Sequence, residues 1–380
     1  MNVAIWGIGE LGKHVLEICN EFKYSVQTFV DNNALEKSPE NGIPVISYKE
    51  FQNDYQNKTE CILLALKNSH NILSILTQLK TCVVKNIGIL KPRIMAENFA
   101  MDAVRGIEDE IVWVRKDGEE INVIPRLELN IVDGCNLNCR GCSHFSSLYS
   151  KEDVYPIEQY KKDLVQISRA GQLVRLRLLG GEPFLAENLS AYLLIARDIF
   201  PDADIELVTN GLLLPKAAKE TLQQIHKWNI SVTISLYPPT IKIKESIETI
   251  LNNNKILWRF EKCGEFSRNL TLQKEHDAHR SSANCLSNGC VFLKNGKIYK
   301  CPVSGLIPIM ESRYQVQFLQ GDSGVDLYDA ENQLFDSIVD LIRNPVEMCQ
   351  YCSEINEGIK WGVRNNPKLQ DWLWKDGKEL

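Results

Sequence analysis

Three cysteines within eight residues constrain this chain more than any other feature. Cys135, Cys139 and Cys142 stand at C-x3-C-x2-C in Cys135-Asn136-Leu137-Asn138-Cys139-Arg140-Gly141-Cys142, a spacing that turns three thiolates onto one small cube of iron and sulfide. Thiolate is the ligand that holds iron-sulfur clusters, and a [4Fe-4S] cube has four irons, so three cysteines leave one iron open. A structural zinc knot and scattered buried cysteines are the alternatives. Zinc ribbons offer paired C-x2-C knuckles, and only one half of this triplet has that spacing. The alternating run Leu127-Glu128-Leu129-Asn130-Ile131-Val132 precedes the triplet, which puts the cysteines on a loop leaving a strand's C-terminal end.

A second stretch, Gly180-Gly181-Glu182-Pro183, follows at the end of the predicted strand Leu173 to Leu179. Together the two resemble the radical S-adenosylmethionine (radical SAM) superfamily, and the pair is far more specific than either part. The resemblance implies that Cys135, Cys139 and Cys142 hold a [4Fe-4S] cluster whose open iron chelates S-adenosylmethionine. Gly180, Gly181 and Glu182 would then surround the methionine ammonium, the glycines because a residue without Cβ lets backbone approach a ligand closely, the carboxylate by charge. The family carries an aromatic immediately before the third cysteine, against the adenine. Gly141 stands there in this chain, leaving His144 or Phe145 as candidates for that stack.

A chain of 380 residues exceeds one average domain. With 44% hydrophobic and 24% charged residues it reads as a soluble globular protein. A net charge of −6 gives no broad cationic surface for nucleic acid or an anionic membrane. Met1-Asn2-Val3-Ala4-Ile5-Trp6 runs straight into a strand without a basic n-region, and no apolar run is long enough to span a bilayer, so a cytoplasmic location is expected. Twelve cysteines are too sparse for a disulfide scaffold. Cys19, Cys61 and Cys82 sit alone in apolar patterns and read as small buried hydrophobes.

In chain order, Val3 to Trp6 is a strand, and Gly7-Ile8-Gly9-Glu10-Leu11-Gly12 opens a helix to about Asn20. This is G-x-G-x-x-G in the right context, with a second strand, Ser25 to Val30, ending in Asp31. The glycines admit phosphate to a helix N-terminus, and the Asp31 carboxylate suits ribose hydroxyls. Further strands are predicted at Cys61 to Ala65 and Cys82 to Val84, with a helix from about Asn71 to Lys80 between them. The domain, 1–90, is about half a complete dinucleotide-binding fold. It resembles the small Rossmann-like modules of bacterial sugar-modifying enzymes, which implies a nucleotide or nucleotide-sugar ligand, with a docking module or a nicotinamide site as alternatives. Residues 91–125 read as a hairpin linker, Ile111 to Arg115 and Glu120 to Ile124 turning at Asp117-Gly118 within Lys116 to Glu119, laid over an edge of the next domain.

Residues 126–262 repeat strand and helix: helices from Pro156, Leu189, Pro215 and Lys244, strands at 174–179, 205–209, 231–236 and 256–260. Crossovers of this length imply parallel strands. Successive strands deliver Cys135, Glu182, Asn210 and Ser235 at their C-terminal ends. The family has a partial (β/α)6 barrel here, in which Thr209, Asn210 and Ser235 fall where S-adenosylmethionine is commonly touched; an ordinary strand cap or turn is the alternative. From 263 to 380 Cys263, Cys285, Cys290, Cys301, Cys349 and Cys352 recur among short elements, with a hairpin around Asn295-Gly296. The spacing resembles the auxiliary-cluster (SPASM or twitch) extension in its shorter form, implying a second [4Fe-4S] held by Cys285, Cys301, Cys349 and Cys352, with Cys290 able to replace Cys285 and a structural zinc as the alternative. Trp361, Trp372 and Trp374 read as docking the tail by apolar burial.

The expected fold is therefore α/β: a small Rossmann-like domain, a partial (β/α)6 barrel and a C-terminal auxiliary iron-sulfur cluster domain. The resemblance implies an oxidoreductase in which a reduced cluster, fed by a flavodoxin- or ferredoxin-type donor, cleaves S-adenosylmethionine to a 5′-deoxyadenosyl radical that takes a hydrogen atom from the substrate. A second, fully ligated cluster favours oxidation of an alcohol carbon, and the N-terminal domain tilts the substrate toward a carbohydrate, nucleotide-sugar or polyol. Epimerisation, with Cys263 or Cys290 as hydrogen donor, and peptide maturation are the competing readings. Glu261, Arg259 and His144 lie near strand ends as candidates for acid-base work, positions equally suited to ordinary salt bridges.

Overall fold

The computed structural model describes residues 1–34, 38–99, 107–115, 120–318, 323–329 and 333–374. The first sheet runs in the order β3-β2-β1-β4-β5-β6, from β1 (Asn2–Trp6), β2 (Ser25–Val30), β3 (Val45–Ile46), β4 (Cys61–Leu64), β5 (Asn86–Leu90) and β6 (Ile111–Trp113). Helix α1 (Glu10–Glu21) links β1 to β2 and α2 (Ser69–Gln78) links β4 to β5. Strand β1 is apolar on both faces. Val3 and Ile5 pack with Leu11 and Val15 of α1, whereas Ala4 and Trp6 pack with Ile72 and Leu76 of α2, the pattern of a parallel strand covered on both sides. The first five strands are parallel.

Two expectations change here. Cys82 to Val84 is not a strand: Cys82 and Val84 are buried in the core while Val83 is exposed, but β4 takes its partner four residues later, Cys61 opposite Asn86. The hairpin of 111–124 is not formed as read. Its turn, 116–119, lies outside the described residues, and its first arm closes the first sheet as β6, antiparallel to β5 with Leu90 opposite Ile111.

The second sheet carries the βα repeat. Strands β7 (Val123–Val132), β8 (Gln172–Gly180), β9 (Asp204–Thr209), β10 (Ser231–Leu236) and β11 (Trp258–Lys262) lie side by side in chain order, all parallel. The helices between them are α3 (Ile157–Ala170), α4 (Leu189–Ile199), α5 (Lys219–Lys227) and α6 (Lys244–Asn253). Their apolar faces share one core with the strands, centred on Leu127, Leu129, Leu176, Leu178, Ile205 and Leu207. The sixth parallel strand comes from the far end of the sequence: β13 (Phe292–Lys294) joins the free edge of β7, Phe292 opposite Glu128, and carries β14 (Lys297–Tyr299) as a hairpin, with β15 (Val325–Asp326) antiparallel beyond it.

The C-terminal region adds α7 (Ala278–Ala283), α8 (Pro302–Tyr314) and α9 (Leu334–Arg343), and a two-stranded antiparallel ribbon of β12 (Glu265–Leu270) with β16 (Cys352–Lys360). Its own core gathers Phe145, Phe292, Met310, Met348 and Trp372, so the loop after the cysteine triplet is packed into this region. No helix among the described residues is long and apolar enough to cross a membrane.

Candidate functional site

The loops leaving β7 to β10 converge on one pocket of about 280 Å³. Cys135, Cys139 and Cys142 line it from the β7 loop, Gly180 and Gly181 from β8, Thr209 and Asn210 from β9, Ser235 and Tyr237 from β10. Each cysteine sulfur has a polar neighbour. The Leu137 backbone N–H donates to Cys135 Sγ at 3.4 Å and Asn210 Nδ2–H donates to it at 3.6 Å, Trp361 Nε1–H donates to Cys139 Sγ at 3.2 Å, and Cys142 Sγ lies 3.9 Å from Ser146 Oγ. Donors aimed at sulfur are what a thiolate ligand uses. Burial pushes the Cys139 thiol up to about 12, so coordination to a metal is what would deprotonate it at neutral pH. No three His, Cys, Asp or Glu among the described residues are gathered for a single ion.

The Gly-Gly-Glu stretch works differently from the expectation. A Cβ on Gly180 would stand 2.0 Å from Val132 O, and one on Gly181 1.9 Å from Gly134 O. These glycines let the ends of β7 and β8 close on each other, locked by Gly181 N–H to Val132 O at 2.8 Å, and so hold the triplet loop against the β8 loop. Glu182 is fully buried, does not line the pocket, and accepts from Thr209 Oγ1 at 2.7 Å, Asn210 N at 2.9 Å and Phe184 N at 3.1 Å. Burial raises its carboxyl to about 7 against those three bonds. Its role is to tie the β8 loop to the β9 loop, and the pocket wall is left to the glycine backbone.

Neither candidate for the adenine stack takes that place. Phe145 is buried edge-on against Trp372, and His144 stands edge-on to Phe292. Three other rings do stack: Tyr237 lies 5.8 Å from Phe266 and 6.0 Å from Trp361, near parallel to both. A Cβ on Gly141 would meet Ile359 Cδ1 at 2.8 Å and Phe266 Cβ at 3.4 Å. The ribbon of β12 and β16 occupies the room that a side chain there would need.

Sequence reasoning treated Trp361 and Trp372 as apolar anchors. Trp372 does pack in the core, yet its Nε1–H donates to Cys142 O at 2.8 Å, and Arg140 pairs with the buried Asp371 at 3.0 Å. The tail therefore straps the triplet loop, a role that spacing alone could not reveal.

The pocket floor is ionic. Glu128 pairs with Arg126 and, at 2.8 Å, with Arg177, which also reaches Glu206 at 2.8 Å. Arg259 bonds Glu206, Glu261 and Thr233, so Arg259 and Glu261 belong to this cross-strand ladder and do not line the pocket. Burial would raise the Glu128 carboxyl, but Arg126 and Arg177 outweigh it and hold it down at about 2. The signal was present as Arg126-Leu127-Glu128 and Arg175-Leu176-Arg177, charges on one face of otherwise apolar strands. Arg126 Nε is buried without a protein partner. His144 also lines the pocket. Asn130 donates its amide to Asp133 at 2.9 Å, so its Oδ1 accepts from His144 Nδ1–H at 3.0 Å. That bond leaves Nε2 as the unprotonated ring nitrogen.

Of the remaining cysteines, Cys352 is half-buried, and a thiolate there would face Cys301, Cys285 and Cys349. Cys349 likewise faces Cys301, and Cys301 caps the N-terminus of α8, a position that favours thiolate. Cys290 instead faces Glu128, Arg126 and Arg177 before Cys301, and it lines the pocket. Cys263 is half-buried beside Ser235. In the first domain Gly7 turns with φ of +104° against Ala65 O, Gly12 packs on Gly7 O, and Gly9, the N-cap of α1, faces open space. Asp31 follows β2, its Oδ1 accepting from Asn33 N at 2.8 Å.

A larger hollow of about 1060 Å³ lies at the opposite ends of the strands, between residues 91–115 and 197–257. Its cations are engaged: the buried Arg93 by Glu110, the buried Lys91 by the Asp109 carbonyl, and the half-buried Arg197 by the carbonyls of Trp228, Phe200, Pro201 and Ala203. It is an interface between the two sheets rather than a site.

Residues 129–271 match the model of the Radical SAM superfamily, a family that uses S-adenosylmethionine and a [4Fe-4S] cluster. GTP 3′,8-cyclase of Campylobacter jejuni strain RM1221 is 23% identical over 258 residues, 63% of this chain and 78% of that protein. GTP 3′,8-cyclase of Heliobacterium modesticaldum is 30% identical over 99 residues, 26% of this chain and 30% of that protein. Among solved structures, BtrN in complex with AdoMet and 2-DOIA aligns with a TM-score of 0.38 at 14% identity, over 60% of this chain and 92% of that one. SuiB of Streptococcus suis bound to S-adenosylmethionine aligns with a TM-score of 0.32 at 17% identity, over 37% and 34%.

Proposed function

We propose that this radical SAM enzyme oxidises an alcohol carbon of a carbohydrate, nucleotide-sugar or polyol. The observation that carries the reading is the gathering of Cys285, Cys301, Cys349 and Cys352 on the segments that flank the pocket, where Leu286, Ser287, Cys290 and Pro302 line it. When bound, the triplet's cluster with S-adenosylmethionine supplies one-electron cleavage and hydrogen-atom abstraction, and a second cluster on the four cysteines supplies an electron acceptor.

The chain's own residues hold and orient. Cys135, Cys139 and Cys142 are the first ligands, with Asn210 and Trp361 donating to their sulfurs. Gly180 and Gly181 present backbone to the methionine end, and Thr209, Asn210 and Ser235 present polar groups beside it. Tyr237 and Phe266, which stack on each other and line the pocket, would offer the adenine the ring face that Gly141 does not supply. Arg126 Nε, Arg177 and the ionised Glu128 offer donors and an acceptor to substrate hydroxyls, and His144 Nε2 is the neutral acceptor for the hydroxyl proton released as the carbonyl forms. Gly7, Gly9, Gly12 and Asp31 would hold the nucleotide part of a nucleotide-sugar.

The second reading, epimerisation, rests on Cys290, a buried thiol in the pocket outside the group of four. Product analysis separates the two. The reduced enzyme, given S-adenosylmethionine and a panel of cyclitols and sugars in D2O, is expected to yield a product two mass units lighter, one per 5′-deoxyadenosine. Deuterium at carbon with no carbonyl, abolished by Cys290→Ala, would establish epimerisation instead.

A further inference from the structure

The turn from Cys285 to Cys290 touches three parts of the molecule. Cys285 joins the four thiols, while Leu286, Ser287 and Cys290 line the pocket. Asn288 and Gly289 reach the first domain: His70 Nε2–H donates to Asn288 Oδ1 at 2.8 Å across 218 residues of sequence. Gly289 has φ of +81°, and a Cβ on it would stand 3.2 Å from Ser69 Cβ and 3.3 Å from His70 Cδ2. It therefore lies directly on the first turn of α2.

Within itself the turn has little to fix it. Its internal bonds are Asn288 N–H to Cys285 O at 3.0 Å, Cys290 N–H to Ser287 O at 3.1 Å and Ser287 N–H to Cys285 Sγ at 3.4 Å, and Leu286 is 81% exposed. Such segments open locally at low cost unless an outside contact holds them. The outside contact here comes from the first turn of α2, and the β4–α2 connection that leads into it also supports the glycine loop. Gly7 packs on Ala65 O and Leu66, and Asn68 caps α2 by accepting from Asn71 N at 3.1 Å. One short connection thus carries the G-x-G turn at one end and the pocket's turn at the other.

We propose that His70 and Asn288 are positioning residues through which the N-terminal domain sets the turn that completes the substrate side of the pocket. The assignment rests on the reading of that pocket as the reaction site, but the contact itself is tested independently of any cluster or substrate. Neither residue touches cofactor or substrate; they act through Ser287 and Cys290.

The test is hydrogen exchange by mass spectrometry on the full chain, comparing wild type with His70→Ala, Asn288→Ala, the double variant and His70→Gln, whose amide N–H can still donate to Asn288. Peptides covering 285–290 are expected to exchange about five-fold faster in each alanine variant, since one neutral hydrogen bond is lost. The double variant should be no faster than the faster single, and His70→Gln should return toward wild type. The 135–142 peptide should not change. Unchanged exchange at 285–290 in His70→Ala would overturn the proposal. So would loss of protection throughout the first domain without rescue by glutamine, which would mark His70 as a packing residue of its own fold. Reduced-state paramagnetic resonance on the same wild-type preparation separates the two ideas: absence of a second cluster signal defeats the oxidation reading, while the exchange result still decides the contact.

Discussion

Cys135, Cys139 and Cys142 sit within eight residues on one loop, whereas Cys285, Cys301, Cys349 and Cys352 come from a turn, a helix N-terminus and the entry to a strand. The first set is placed by local chain geometry, with β7 and β8 locked beneath it by Gly180 and Gly181. The second is placed only when α8, the segment before β16 and the turn at Cys285 pack on one core. The two are nevertheless not independent. The β12–β16 ribbon and the tail after it deliver Trp361 to Cys139 and Trp372 to the Cys142 carbonyl, so the distant region also finishes the local one.

The largest effect that would break this comparison is loss of chemistry from the local set. The Cys135, Cys139, Cys142 triple alanine variant is expected to release no 5′-deoxyadenosine above background, measured by chromatography. Cys352→Ala should behave differently: 5′-deoxyadenosine still forms, but oxidised product falls to near zero, because the distant set serves the second electron alone. If Cys352→Ala abolishes both, the two sets are one site. Cys290→Ala sharpens the division, since it should leave iron content unchanged where Cys285→Ala lowers it.

How legible these arrangements were follows from their range. The strand and helix rhythm from Leu127 to Leu236 was readable, because each βα unit fixes its own apolar faces and crossover length. The sixth strand was not, since β13 reaches β7 only after the whole sheet is built. The arm Ile111–Trp113 has the pattern of a hairpin arm, but the free edge of β5 offered it a better apolar surface. Gly180 and Gly181 read as glycines that admit a ligand, and the backbone within about 2 Å of a Cβ there is the chain's own. Glu182 and Trp361 show the same limit from opposite sides. A carboxylate beside glycines reads as a ligand and is buried on Thr209, Asn210 N and Phe184 N, while a tryptophan in the tail reads as an apolar anchor and donates to the Cys139 sulfur.

Smaller perturbations probe the strap itself. Trp361→Phe keeps the ring stack but removes the N–H aimed at Cys139, and should lower the first cluster's potential, so that the donor reduces a smaller share of it and S-adenosylmethionine cleavage slows about ten-fold, at the low end for outer-shell partners of a metal site. Redox titration followed by paramagnetic resonance measures it; an unchanged potential would detach the tail from the site. The smallest effect concerns stability. Because burial raises the Glu182 carboxyl from 4.5 to about 7, the folded protein binds that proton more tightly than the unfolded chain. Its contribution is complete below about 4.5 and is lost as pH rises toward about 7, with an upper bound of about 3 kcal/mol. Thermal unfolding between pH 5 and 8 should show this slope in wild type and a flatter one in Glu182→Gln. Equal slopes would show that the carboxyl is ionised throughout.

The most direct measurement is iron and sulfide content with reduced-state paramagnetic resonance on anaerobically prepared protein, intact and with Cys135, Cys139 and Cys142 all replaced by alanine. Two four-iron clusters predict about eight irons falling to about four, with one signal surviving. About four irons falling to almost none would contradict the account, leaving the C-terminal cysteines without a cluster and the oxidation without its electron acceptor.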